Sequence, residues 1–201
     1  MAIQMVKDSK DFNMTRFKLH TIETAPEASR AMLEASRKEL GFVPNQYVGL
    51  ADSPVALKAY LTLSDLFAKS SFSPIEQQVV ALAVSVQNEC EFCVSAHSTI
   101  ARRKVKVPGP IIDALRTGTK LPDAKLDALA TFVRSVIRTH GWVNESSVKT
   151  FIDAGYNRAQ LLDVILGVSM KTLSNYTNNI LATPLNKEFE GERWTRVTKA
   201  A

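Results

Sequence analysis

The sequence predicts an all-α domain, and three observations carry that prediction. Helix-start signatures recur along the chain, a Ser, Thr or Asn followed three residues later by Glu or Gln. Apolar residues between these starts repeat with helical spacing and stop at glycine or proline. No stretch alternates with period two between turn signals, as a half-buried strand would.

The elements follow in order. Thr24 to Glu27 has the form of a capping box with Pro26 in the first turn, opening a helix that runs to Leu40 and stops at Gly41. Pro44 then keeps the chain extended. Ser53 and Pro54 open a second helix, with Leu57, Tyr60, Leu61 and Leu66 among its apolar positions. Ser73 to Glu76 opens a third with another capping box and carries Val79 to Val84 toward Cys90. Cys90 to about Arg103 reads as a fourth helix, broken by Pro108 and Pro110 before a short helix ending near Gly118. Pro122 to His140, Asn144 to Ala154, and Asn157 to Leu181 complete the set, the last opened by Asn157 and Gln160. Residues 183–201 are mostly polar and should wrap or fray.

One domain accounts for all 201 residues. Its first half spans about 41–106, its second about 122–182, and a tail follows from 183 to 201. The halves echo each other. Residues 84–93 can be laid over 168–177, which also aligns the helix starts at Ser73 and Asn157. Cys90 then falls on Ser174 and Cys93 on Thr177, as in a diverged helical repeat whose first copy alone keeps sulfur.

Composition excludes several classes. A hydrophobic fraction of 45% with 22% charged residues suits a globular chain and not a disordered one. The longest strictly apolar run, Val79 to Val84, is too short to span a bilayer. Met1 to Phe12 is charged and lacks the apolar core of a secretory signal, so a cytoplasmic protein is expected. Two cysteines cannot form a disulfide scaffold. The net charge of +5 concentrates in one dense patch, Arg102, Arg103, Lys104 and Lys106. No aromatic residue is interleaved there to stack a base, so a solvated helix end is expected and no nucleic-acid partner.

Chemistry concentrates in Cys90, Cys93 and His97. At three- and four-residue spacing, all three share one helix face. A Cys90 in the first helical turn would feel the unpaired backbone N–H groups, which favour thiolate. His97 can take a thiol proton or stabilise the thiolate. The set suits one thiol that attacks a peroxide or disulfide and a second that resolves the product. A zinc site is a weaker fit, because a structural site wants four ligands and His20 and His140 are remote. A c-type haem motif fails because Val94 stands where histidine is required. Two inert buried cysteines remain the bland alternative. No cofactor and no metal are expected.

Glu76 and Gln78 lie one helix upstream. A carboxylate near His97 would complete a proton relay, although Glu76 also fits the third position of a capping box. Gln78 can only orient a water or the imidazole, since an amide does not accept a proton at neutral pH. Tyr60, Trp142 and Tyr176 are expected in the core or an interface.

The stretch from Ser73 through Glu76, Cys90 and Cys93 to His97 resembles the carboxymuconolactone decarboxylase and alkyl hydroperoxidase D superfamily, most closely its peroxidase-related branch. Weaker echoes at Gly41 to Asn45, Ala51 to Pro54 and Ser174 to Tyr176 extend the likeness over most of the chain. The resemblance implies an AhpD-like helical fold and assembly into trimers or hexamers. It implies that Cys93 is the peroxidatic thiol, Cys90 its disulfide partner, and His97 part of a proton relay. It implies a small-molecule peroxide substrate and an external dithiol reductant, such as a lipoyl domain. A decarboxylase-type reaction on a small lactone or acid, with His97 and Glu76 as acid and base, and a non-enzymatic redox sensor are the alternative functions. The family's relay glutamate falls at Gln78 in this sequence. Glu76 is turned by about 200° on a helix from that position and cannot simply replace it.

Overall fold

The computed structural model describes residues 19–196. Met1 to Phe12, where a signal was sought, and the last five residues of the tail lie outside them. Nine α-helices are found among the described residues, and no strand. They are α1 (Glu27–Leu40), α2 (Asn45–Leu50), α3 (Pro54–Ala68), α4 (Pro74–Gln87), α5 (Glu91–Thr99), α6 (Gly109–Thr117), α7 (Ala124–Arg138), α8 (Glu145–Asp153) and α9 (Arg158–Leu181). A π-helical segment, Ile100–Val105, continues α5, and a 3₁₀ segment, Lys187–Glu192, follows α9.

Most helix ends obey the sequence. Ser73 with Glu76 and Asn157 with Gln160 form complete capping boxes. Ser53, Asp123 and Asn144 each accept a backbone N–H at the start of their helix. Gly41 and Gly118 end α1 and α6 with left-handed φ of 80° and 70°.

Three readings are corrected. Thr24 does not cap α1: Pro26 is the cap position, Glu27 is the first helical residue, and the Thr24 hydroxyl accepts from the Thr21 N–H instead. The segment after Pro44 is not extended but forms α2, because Pro44 fixes only the approach and its carbonyl accepts from Tyr47 and Val48. The helix from Cys90 to Arg103 changes character at Ile100, where its ladder widens to π geometry.

α4 is the central helix. Val79 through Ser85 are all buried in sequence, so every face of its middle turns is covered, by α5, α6, α7 and α9. It packs tightly against α9 at Gly167. An alanine methyl there would stand 2.7 Å from Phe67 Cε2 and 2.8 Å from Val80 Cγ1. Gly167→Ala should therefore destabilise the fold by about 1–3 kcal/mol, read as a lower urea midpoint at unchanged slope. The two capping boxes and the buried pair Val80 and Val164 occupy corresponding positions, which does not by itself show a repeat between the halves. The correspondence is absent at the site, since α9 runs unbroken through the positions where α4 ends and α5 begins, and Tyr176 is exposed where Phe92 is buried.

The tail wraps rather than frays as far as it is described. Glu192 receives Arg102 and Arg116, Trp194 N–H donates to Ser95 Oγ, and Arg196 N–H donates to Glu91 Oε1. These contacts draw Phe189 over the start of α5. There Cys90, Phe92, Cys93, Ala96 and Phe189 form a small apolar cluster apart from the main core. Phe189 meets Phe42 and Phe92 edge to face.

Candidate thiol site

Cys90 is the cap residue of α5, and Cys93 lies in its first turn. Both are buried and reduced. The turn that delivers them is pinned by α9. Asn88 Nδ2 donates to Asn175 Oδ1, Asn179 Nδ2 donates to the Asn88 carbonyl, and Asn175 Nδ2 donates to Ser85 Oγ. The Cys90 N–H donates to the Ser85 carbonyl at 2.9 Å, and Glu89 takes a left-handed φ of 51° to make the bend.

Cys90 stands at the cap position rather than inside the first turn. On balance its thiol is pushed up, first by its hydrogen bond to Cys93 and then by burial, although the Cys93 backbone N–H favours its thiolate, as a helix start does. Cys93 is the depressed thiol. Burial opposes its ionisation, but the Cys90 thiol, the charge of Lys171 and the amides of Asn178 and Asn175 together favour the anion. Asn178 Nδ2 donates to Cys93 Sγ at 3.2 Å and to Gln46 Oε1 at 3.1 Å. Gln46 Oε1 and Ser174 Oγ lie 3.7 and 4.0 Å from the same sulfur.

His97 is on the same helix face and fully held. Lys171 Nζ is 2.9 Å from its Nε2, and Gln78 Oε1 is 3.0 Å from its Nδ1. An ammonium can only donate, so Nε2 is the acceptor and the imidazole hydrogen sits on Nδ1, directed at the Gln78 carbonyl. Burial and then the Lys171 charge hold the imidazole well below its usual range, so it is neutral. Gln78 thus orients the ring, as an amide can, and takes no proton.

Glu76 is not part of this cluster. Both its N–H and carboxylate are engaged with Ser73, and its other oxygen is 3.4 Å from Lys125 Nζ. Burial raises its affinity for a proton, but the Ser73 backbone and hydroxyl and then Lys125 outweigh it and hold the carboxyl below its ordinary value. It completes the capping box of α4, whose cap residue is Ser73. Glu76→Ala should cost about 1 kcal/mol at neutral pH. Because the folded-state value is the lower one, that contribution is complete above the unfolded value of 4.5 and is lost as pH falls through the folded one. The stability gap between the wild type and the variant should close in acid, as urea titrations at several pH values would show.

A cavity of about 260 Å³ opens beside Cys93 and His97. Phe42, Tyr47, Tyr60, Phe92 and Phe189 give it an apolar, aromatic wall, and Lys104 stands at its edge. Cys90 does not line it. Tyr60 belongs to the main core, as the sequence suggests, and also forms part of the cavity wall. Burial, then the neighbouring Cys93, raises its phenol, which stays protonated. Trp142 and Tyr176 are exposed, not in the core, and do not line the cavity. Among the described residues no group of three or more His, Cys, Asp and Glu side chains is gathered as a metal site would require.

The sequence missed Lys171, Asn178 and Gln46. One signal was present: Lys171, Ser174, Asn175 and Asn178 form a polar stripe at helical spacing inside an otherwise apolar helix, and all four are buried.

The fold and the site together define an all-helical thiol protein with a paired cysteine beside an apolar cavity. Residues 54–121, which contain both thiols, His97 and Gln78, match the Carboxymuconolactone decarboxylase family. The described residues have the fold of an alkylhydroperoxidase AhpD core, an uncharacterized peroxidase-related protein from Ralstonia eutropha JMP134. The TM-score is 0.77 at 24% identity, covering 92% of this chain and 97% of that one. An uncharacterized peroxidase-related protein from Silicibacter sp. TM1040 aligns with a TM-score of 0.75 at 22% identity, covering 94% and 99%. The debrominase Bmp8 aligns with 0.71 at 15%, covering 87% and 94%. No curated protein matches the chain. The chain thus combines an AhpD-like fold with a segment similar to the carboxymuconolactone decarboxylase family.

Proposed function

We propose that the protein is a thiol-dependent peroxidase that reduces organic hydroperoxides with Cys93 and Cys90. The observation that carries this reading is the asymmetry of the pair: Cys93 borders the cavity and is held toward thiolate, while Cys90 lies behind it with its proton retained. The Cys93 thiolate attacks the distal oxygen of the hydroperoxide. The O–O bond breaks, Cys93 becomes a sulfenic acid, and the alkoxide leaves to take a proton from water. The Cys90 thiol then condenses with the sulfenic acid, forming the disulfide and releasing water. An external dithiol restores both thiols and is itself oxidised to its disulfide.

His97 positions the site in this scheme and does not shuttle a proton, because both of its nitrogens are engaged and it is neutral. The same contacts count against a decarboxylase-type reaction with His97 and Glu76 as acid and base, since Glu76 is occupied at the start of α4. Assembly of several copies belongs to the proposal, supported by the exposed apolar residues Leu162, Ile165, Tyr176 and Ile180 along α9. A reducing compartment such as the cytoplasm would keep the pair in its working state. No helix among the described residues is long and apolar enough to cross a membrane.

The test is turnover. With dihydrolipoamide as the dithiol, the protein should consume cumene hydroperoxide catalytically, and an aromatic hydroperoxide should outcompete hydrogen peroxide because of the cavity wall. A rate no higher than that of dihydrolipoamide alone would rule the reading out.

A further inference from the structure

Lys171 is the most unusual group that the sequence left unread. It is a lysine with 0% exposure, in the middle of α9, and its ammonium donates to His97 Nε2 at 2.9 Å. A buried ammonium without an anion is costly, because the interior does not replace the water it loses. Lys171 has no carboxylate partner among the described residues.

The groups around it are few. Cys90, Cys93 and His97 of α5 and Tyr47 of α2 lie within electrostatic reach of its charge, and geometry joins it to Cys93: Lys171 meets His97, while Ser174 and Asn178, one and two turns farther along α9, stand 4.0 and 3.2 Å from Cys93 Sγ. On α9 itself the buried neighbours are Ser174, Asn175 and Asn178, all uncharged. Tyr47 is raised, by burial first, and stays a neutral phenol. Cys90 keeps its proton, and His97 is neutral. By elimination, the one anion the site can offer Lys171 is the sulfur of Cys93.

We propose that Lys171 is the positioning residue of the thiol site: its buried ammonium is the counter-ion of the Cys93 thiolate and fixes the imidazole of His97 with its hydrogen on Nδ1. The inference rests on the thiol reading of the site and deepens it. The amide at Gln78 then needs no carboxylate in its place, because the anion is stabilised by a fixed positive charge and not created by a base. Lys171 and Cys93 are a charge pair assembled from two helices, with His97 held between the ammonium and Gln78.

The test is the titration of the Cys93 thiolate, followed by its absorbance near 240 nm in the reduced protein and by the pH profile of Cys93 alkylation. Wild-type Cys93 should titrate well below an ordinary thiol. Lys171→Met should move the midpoint to the ordinary value or above, cutting the thiolate fraction at neutral pH by about 30- to 100-fold. Lys171→Arg, which keeps the charge, should restore most of the depression. A Lys171→Met protein that is folded by circular dichroism and titrates like the wild type would overturn the proposal. If neither variant folds, the wild type itself decides: a Cys93 that titrates at or above the value of an ordinary thiol would equally overturn the proposal. A low Cys93 titration without hydroperoxide turnover would instead reject the peroxidase reading and leave this charge pair standing.

Discussion

Cys93→Ser should lower hydroperoxide turnover by a factor on the order of 10⁴. Cys93 is the sulfur that borders the cavity, and the amide of Asn178, the thiol of Cys90 and the charge of Lys171 are all arranged to hold it as an anion. A serine hydroxyl in the same place keeps its proton at neutral pH and supplies no nucleophile. Cys90 cannot substitute, since it does not line the cavity and its thiol is pushed up rather than down. The substitution is nearly isosteric, so circular dichroism should be unchanged and the loss of rate should be chemical. Retained turnover would mean that the attacking group lies elsewhere.

Cys90→Ser should separate the two halves of the reaction. Attack on the hydroperoxide needs only Cys93, so the first turnover should slow by no more than about tenfold, the modest effect expected from losing one hydrogen bond to the thiolate. The second step has no resolving thiol, so a sulfenic acid should accumulate and multiple turnover should cease. Trapping with dimedone, read by mass spectrometry, should label Cys93 in this variant and much less in the wild type. Full turnover in Cys90→Ser would show that the external dithiol resolves the sulfenic acid directly and that the pair has no joint role.

Much of the fold was legible because helix ends are written locally. Ser73 with Glu76, Asn157 with Gln160, Gly41 and Gly118 each satisfy or relieve backbone groups within a few residues of themselves, and each marks a boundary the structure keeps. The misses have the same local origin. α2 is a six-residue helix between Pro44 and Ala51, too short to show a period. Thr24 has the right spacing to Glu27 for a capping box, but Pro26 takes the cap and the Thr24 hydroxyl turns back to Thr21.

The site divides along similar lines. Cys90, Cys93 and His97 lie on one helix, and Gln78 lies on the helix packed beside it, so spacing alone brings them into view. Lys171 and Asn178 reach the site from α9, and Gln46 and Tyr60 from α2 and α3, through packing that no local pattern records. A lysine in sequence also reads as a solvated residue, and here the general expectation fails at the one position where a buried charge has chemical use. Glu76 shows the reverse error: a carboxylate placed upstream of the thiols suggested a relay, and its position in the capping box decided its role.

The most direct measurement is a peptide map, without reduction, of the protein treated with one equivalent of cumene hydroperoxide. The account predicts that both thiols disappear and that one intrachain disulfide joins Cys90 to Cys93. Both cysteines recovered as free thiols after the hydroperoxide has been offered would contradict it.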